Sequence, residues 1–172
     1  TRAFCVSLRR DCGVGTLGAG LLGDASLRLL GSCGVPKGRI ALLSAAPRES
    51  EERYGVRAFD RWSLREIGRA CAASRSLLLG GGGLFQDSTS ARSCVYYYAA
   101  VRIARLFGLK VWAEGQSVGP LRRGLSRALT RGAFGSCVHT GVRDESSREI
   151  LGSMGIGAAL APDLGRSLPV PR

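Results

Sequence analysis

Ser76-Leu77-Leu78-Leu79-Gly80-Gly81-Gly82-Gly83-Leu84-Phe85-Gln86-Asp87-Ser88-Thr89-Ser90 decides how this chain is read. Leu77 to Leu79 is a short continuous apolar run, as expected of a buried strand. Four glycines follow, then Gln86, Asp87 and three hydroxyl residues, then a helical pattern reaching about Phe107. A strand that stops in glycines and restarts as a helix leaves a crevice at its C-terminal end, where open parallel sheets bind ligands. Glycine admits φ > 0 and lets a ligand approach main-chain N–H groups. A helix N-terminus offers unpaired N–H groups and partial positive charge, both suited to an anion. The expected layout is strand, glycine turn, and a helix capped by Ser88 or Thr89. Gly81, Gly82 and Gly83 form the cradle, with Gln86, Asp87 and Arg92 beside it.

The rest of the chain repeats this alternation. Strands are expected at Ala3–Leu8, Arg39–Ser44, Leu77–Leu79, Lys110–Glu114, Cys137–Val142 and Ala158–Ala161, with a short edge strand at Tyr54–Ala58. Between them lie helical patterns at Ser63–Cys71, Leu121–Thr130 and Asp144–Met154, and a short charged helix or loop at Pro47–Tyr54. Ser63-Leu64-Arg65-Glu66 has the capping-box pattern. Asp24 is placed to cap a helix carrying Leu27 and Leu30. Strands alternating with helices argue for one α/β domain over residues 1–172, a Rossmann-like parallel sheet flanked by helices. Gly13-Val14-Gly15-Thr16-Leu17-Gly18 matches GxGxxG, but four residues separate it from its strand, and no ribose-binding acid follows at the usual distance.

Two more blocks fall just after expected strands: Gly115-Gln116-Ser117-Val118-Gly119-Pro120-Leu121 and Val142-Arg143-Asp144-Glu145-Ser146-Ser147. Gln86 and Gln116 can hydrogen-bond sugar hydroxyls without titrating. Arg143 and Arg92 can clamp an anion, Arg143 having a local ion pair with Asp144 or Glu145 as its alternative. Asp87 is a candidate general base or acceptor ligand, with a plain helix-start carboxylate as the other reading. Tyr96, Tyr97 and Tyr98 spread around one helix, so at least one is left for the surface or the crevice, as packing or as a platform for a sugar ring. His139 lies inside a strand pattern and reads as structural.

Together, Gly81–Ser90, Gly115–Leu121 and Val142–Ser147 resemble the GGG-x-x-QD-x-TS, QGIGPL and VRDxxS blocks of the polysaccharide pyruvyl transferase family, in the same order. The run Gln86–Ser90 is similar to the type that pyruvylates secondary cell-wall polysaccharide. Gly20–Ser26 aligns with a GNxGDEA-like segment: Gly23 and Asp24 match, while Leu21 and Ala25 replace asparagine and glutamate. The resemblance implies transfer of pyruvate from phosphoenolpyruvate, as a ketal, onto a lipid-linked or polymeric saccharide. No other cofactor and no metal is implied. It implies a substrate-binding set of Asp24, Gly81, Gly82, Gly83, Gln86, Asp87, Arg92, Gln116, Gly119 and Arg143. It further implies the N-terminal half of a fold resembling B-type glycosyltransferases. The family's second domain is expected to be absent here, leaving a face that would favour a homodimer. A glycosyltransferase half and a non-catalytic glycan-binding module remain the alternatives.

Composition narrows the partners. The chain carries 25 basic and 13 acidic residues, a formal charge of +12. All the basic residues but Lys37 and Lys110 are arginine, and they are dispersed without the aromatic interleaving of single-strand binders. A solvated basic surface attractive to anionic substrates is expected, rather than a nucleic-acid interface. Six cysteines include no CxxC pair, and one histidine makes a zinc site improbable. No apolar run approaches a membrane span. A cytoplasmic protein with at most peripheral contact at the inner membrane face is expected.

Overall fold

The computed structural model describes residues 3–7, 17–88 and 91–161. Its strands are β1 (Ala3–Ser7), β2 (Ile40–Ser44), β3 (Arg57–Asp60), β4 (Ser74–Leu79), β5 (Gly82–Phe85), β6 (Lys110–Val118), β7 (Cys137–Val142) and β8 (Ala159–Leu160). Its helices are α1 (Leu17–Ser32), α2 (Pro47–Tyr54), α3 (Leu64–Ala72), α4 (Arg92–Leu106), α5 (Gly124–Phe134) and α6 (Glu145–Gly152). The strands form one sheet in the order β3-β2-β1-β4-β6-β7-β8, and β5 pairs with β6. All pairings among the described residues are parallel. This is the expected Rossmann-like α/β fold.

Alternation along the strands sorts the core into two layers. Leu77 and Leu79 of β4, Val111 and Ala113 of β6 and Leu43 of β2 pack with Ile67, Tyr97, Val101, Phe134 and Leu151 from α3 to α6. Leu42 and Leu78 face the other way and meet Leu30 of α1 and Tyr54 of α2. Phe85 is fully buried and lies between Phe134 and Tyr97, at centroid distances of 4.8 and 5.8 Å. On the second layer's side, β6 and β7 expose Trp112, in ring contact with His139, which is 3.0 Å from Glu114.

The glycine run differs from its expected form. It is not a turn into a helix. After Gly80 and Gly81 the chain becomes extended again as β5. β4 pairs with Lys110–Ala113 of β6, whereas β5 pairs with Gln116 and Val118 further along it. β7 occupies the other edge of β6, so β4 and β5 follow each other along a single edge. Gly82, at φ 114°, makes the step between them, a conformation L side chains rarely adopt. Consequently β6 runs to Val118 rather than to Glu114.

Three capping expectations change as well. α1 is already helical at Leu17, so Asp24 lies within it rather than capping it, 3.6 Å from Arg53. The residue before α4 is Ala91, with no side-chain cap, in place of Ser88 or Thr89. Ser63 caps α3 by accepting from the Glu66 N–H, but the Glu66 carboxylate turns to Arg69 instead of reaching back. The GxGxxG segment lies outside the described residues up to Thr16, and Leu17 and Gly18 open α1.

Candidate functional site

Because the strands are parallel, their C-terminal ends share one edge of the sheet, and the three sequence blocks meet there. Main-chain bonds first carry the β5–β6 pairing past its strands. The Gly119 N–H donates to the Phe85 carbonyl at 2.8 Å, and the Asp87 N–H donates to the Pro120 carbonyl at 3.1 Å. The Asp87 side chain then closes the arrangement. One carboxylate oxygen accepts from the Arg122 N–H and the other from the Arg123 N–H, each at 2.8 Å. Arg123 immediately precedes α5 and supplies no side-chain cap of its own. Asp87 therefore caps α5 from a distant part of the chain, its charge set against the helix's positive end. It is 3% exposed. The Arg122 N–H leads the interactions that hold its carboxyl below the ordinary range; burial opposes it and the Arg123 N–H adds to it. A carboxylate so placed anchors the start of α5.

Gln116 has a similar part. It is fully buried, and its Nε2 donates to the carbonyls of Leu79 and Gly80 at 2.9 and 2.7 Å. These carbonyls lie where β4 gives way to β5, so the amide fastens the break. Its Oε1 finds no partner among the described residues. The Nε2 side of this amide is thus committed to main-chain carbonyls.

The third block is tied to the second. Asp144 caps α6, accepting from the Ser147 N–H at 2.8 Å and from the Ser147 hydroxyl at 2.7 Å. The Ser117 hydroxyl donates to the other Asp144 oxygen at 2.8 Å, and the Val118 N–H donates to Ser147 Oγ at 2.8 Å. Burial pushes the Asp144 carboxyl up, but the bonds from Ser147 and Ser117, with the Arg143 charge, hold it below its usual value. The Arg143 N–H donates to the Gln116 carbonyl, and its guanidinium lies 4.0 Å from Asp144 at an exposed position just past β7. Gly119 sits at φ 96°, a conformation L side chains rarely adopt, and a Cβ there would stand 2.7 Å from Ile150 Cδ1.

The remaining predicted residues are spread more widely. Gly81 and Gly82 are buried, and the Gln86 side chain packs over Gly83. Asp24 sits on α1, paired with Arg53. Arg92 opens α4 and lines a cleft of about 570 Å³ that the sequence reading missed. The cleft's other walls include Arg61 and Trp62, just past β3, and Ser93, Tyr96 and Tyr97. The Arg61 side chain is buried against three rings, with its guanidinium carbon 4.3 Å from the Tyr96 centroid, 5.0 Å from Trp62 and 5.6 Å from Tyr97. It also donates to the Tyr97 hydroxyl at 3.2 Å. The three tyrosines hinted at a platform, but nothing in the sequence tied them to Trp62, which lies over thirty residues earlier.

Among the described residues no group of His, Cys, Asp and Glu is placed to hold a metal ion, and no helix is long and apolar enough to cross a membrane.

Two solved structures of Citrobacter sp. triphenylmethane reductase, one complexed with NADP(H), resemble the chain. Their TM-scores are 0.51 and 0.50, and their identities 19% and 18%. In both cases the match covers 81% of this chain and 47% or 48% of the reductase. The chain thus spans about half the length of those proteins, and the likeness concerns fold alone. No curated protein matches the sequence. Residues 17–169 match the description of polysaccharide pyruvyl transferase, a span that takes in all three blocks gathered at the sheet edge; the chain belongs to that family.

Proposed function

We propose that this chain is the N-terminal part of an enzyme that moves pyruvate from phosphoenolpyruvate onto a saccharide as a cyclic ketal. The observation that supports this reading most is the gathering of the three family blocks on one edge of the sheet, within a family match covering residues 17–169. In the reaction one sugar hydroxyl adds to C2 of the enol phosphate, giving its proton to a base, while the methylene carbon takes a proton from an acid. A second hydroxyl of the same sugar then displaces phosphate at C2, and its proton leaves to solvent or phosphate. Such chemistry needs a proton donor, a base for the hydroxyl, and cations for the phosphate and carboxylate.

In this reading Asp87, Gln116, Asp144 and Ser147 are positioning residues. They fix the loops that follow β5, β6 and β7. Arg143 is the residue of this edge suited to hold the donor's anionic groups, since its main chain is fixed by the Gln116 carbonyl and its side chain is 34% exposed beside Asp144. The general acid is not assigned to any described residue. Phosphoenolpyruvate is a cytoplasmic metabolite, so the proposed reaction belongs there, with a cell-wall or exopolysaccharide precursor as acceptor.

The test is phosphate release from phosphoenolpyruvate with a lipid-linked N-acetylmannosamine acceptor, using this chain and a form extended past Arg172 along its reading frame. Release that requires both substrates supports the reading. In the active form Arg143→Ala should lower turnover by about 10²-fold or more, the scale for losing an electrostatic contact to a transition state. Sugar transfer from a nucleotide sugar without phosphoenolpyruvate would replace the reading with glycosyl transfer.

A further inference from the structure

We propose that the cleft between β3 and α4 is a saccharide subsite for a sugar ring carrying a phosphate. As the acceptor subsite of the reaction above, its place in catalysis rests on that reading; binding itself does not.

The first argument concerns shape and surface. Pockets for small ligands are mostly apolar and aromatic, with a few polar groups that set orientation. This cleft of about 570 Å³ has that character. Trp62 is 57% exposed, a large apolar surface to leave in water. Tyr96 supports the indole from one side at a centroid distance of 5.5 Å. An indole held in place with its surface open suits the C–H face of a pyranose, which is apolar, while the ring's hydroxyls remain hydrated.

The second argument concerns charge. The side chains lining the cleft include Arg61 and Arg92 and none that is acidic. Arg61 places a cation in the wall, where the rings of Trp62, Tyr96 and Tyr97 surround it. Arg92 is exposed at the opening of α4 and presents a planar fork of the kind that binds phosphate. A phosphate beside the sugar would meet these cations and no acidic side chain in the lining, and a free phosphate would leave Trp62 uncovered.

The third argument concerns location. Arg61 and Trp62 follow the last residue of β3, and α4 follows β5. The cleft therefore opens at the same C-terminal side of the parallel sheet as the three blocks. The phosphate could belong to a free sugar phosphate or to a lipid-linked sugar, since both present the same chemistry to Arg92.

Trp62 itself provides the readout. The chain has two tryptophans, so Trp112→Phe leaves Trp62 as the sole tryptophan, read by excitation at a wavelength tyrosine does not absorb. That variant is titrated with N-acetylglucosamine 1-phosphate, N-acetylglucosamine, inorganic phosphate, phosphoenolpyruvate, and the same amino sugar on a short prenyl diphosphate. The expected result is a saturable change in Trp62 emission with the sugar phosphates. The neutral sugar and inorganic phosphate should each bind at least about tenfold more weakly, a gap of roughly 1.4 kcal/mol. Arg92→Ala should abolish the preference for the phosphorylated sugar. Tighter binding of the prenyl form would support the proposal and assign the lipid-linked source. Calorimetry on the unmodified chain and on Trp62→Ala repeats the comparison without relying on Trp112→Phe.

The proposal is overturned if no sugar phosphate binds a chain that circular dichroism shows to be folded. It is equally overturned if phosphoenolpyruvate saturates the site in preference to the sugar phosphates. Binding at Trp62 without phosphate release from phosphoenolpyruvate by the extended form would leave the subsite standing and remove the pyruvyl transfer. Phosphate release with a KM for acceptor unchanged by Trp62→Ala would do the reverse.

Discussion

A carboxylate oxygen of Asp87 lies 2.8 Å from the main-chain nitrogen of Arg122, across a sequence gap of 35 residues. The other oxygen is equally close to the nitrogen of Arg123. This one side chain joins the end of β5 to the start of α5, so its loss should be felt in the fold before it is felt in any reaction. Asp87→Ala is expected to lower Tm by several degrees, and Asp87→Asn, which keeps an acceptor oxygen but loses the charge, by less. Thermal unfolding by circular dichroism orders the three proteins. Wild-type stability in Asp87→Ala, together with lost turnover, would return the residue to the chemistry.

Acid should attack the same edge. The Asp87 and Asp144 carboxyls both lie below their ordinary value of 3.8 in the folded chain. As pH falls, the unfolded chain takes up protons first. The stability these groups provide is therefore complete above that value and is lost as pH falls through the lowered folded ones. Denaturant midpoints measured from pH 6 down to pH 2.5 should decline at the acid end, and the decline should be shallower in Asp87→Asn and Asp144→Asn. Equal slopes in all three proteins would place acid sensitivity elsewhere.

Gln116→Leu keeps the volume but removes the amide that serves Leu79 and Gly80. Stranding buried carbonyls costs about 1–3 kcal/mol, and both acceptors here sit at the break between β4 and β5. A loss of about that size in urea unfolding is expected. Amide exchange should show its largest increases in β5 and the second half of β6. Uniformly faster exchange would mean that Gln116 supports the whole sheet rather than this junction.

Gly132 of α5 tests the packing under the site. Alanine in place of a helical glycine normally stabilises by about 1 kcal/mol. Here the added Cβ would stand 2.8 Å from the Tyr98 ring, and overpacking costs about 1–3 kcal/mol. Gly132→Ala should therefore destabilise the wild type but stabilise a Tyr98→Ala background. A sign that does not reverse would show that the Tyr98 ring moves aside freely.

Much of the architecture could be read directly. Leu77–Leu79 announced a buried strand, Arg39–Ser44 and Cys137–Val142 announced strands, and Asp144 announced a helix start. These signals are local, and the fold agrees with them. β5 was hidden because Gly82-Gly83-Leu84-Phe85 lacks β-branched residues; its extended form comes from the long β6 lying beside it. Asp24 was misplaced because the glycine-rich stretch before it does not favour helix by propensity, yet α1 begins at Leu17. Asp87 and Gln116 were found as positions, but their main-chain partners were not. Both serve main-chain groups about 35 residues away, and no local pattern records such a partner. Trp62 and Tyr96 became one wall for the same reason.

The arrangement of β4 and β5 along β6 bears on how the chain could be divided. Each strand has its own stretch of β6 to pair with, and the Gln116 amide adds bonds from the β6 side. The covalent bond between Gly80 and Gly81 is thus not what keeps the two in register. Residues up to Gly80 and residues from Gly81 onward form two complementary pieces, with β6 as the template on which the first would reassemble with the second.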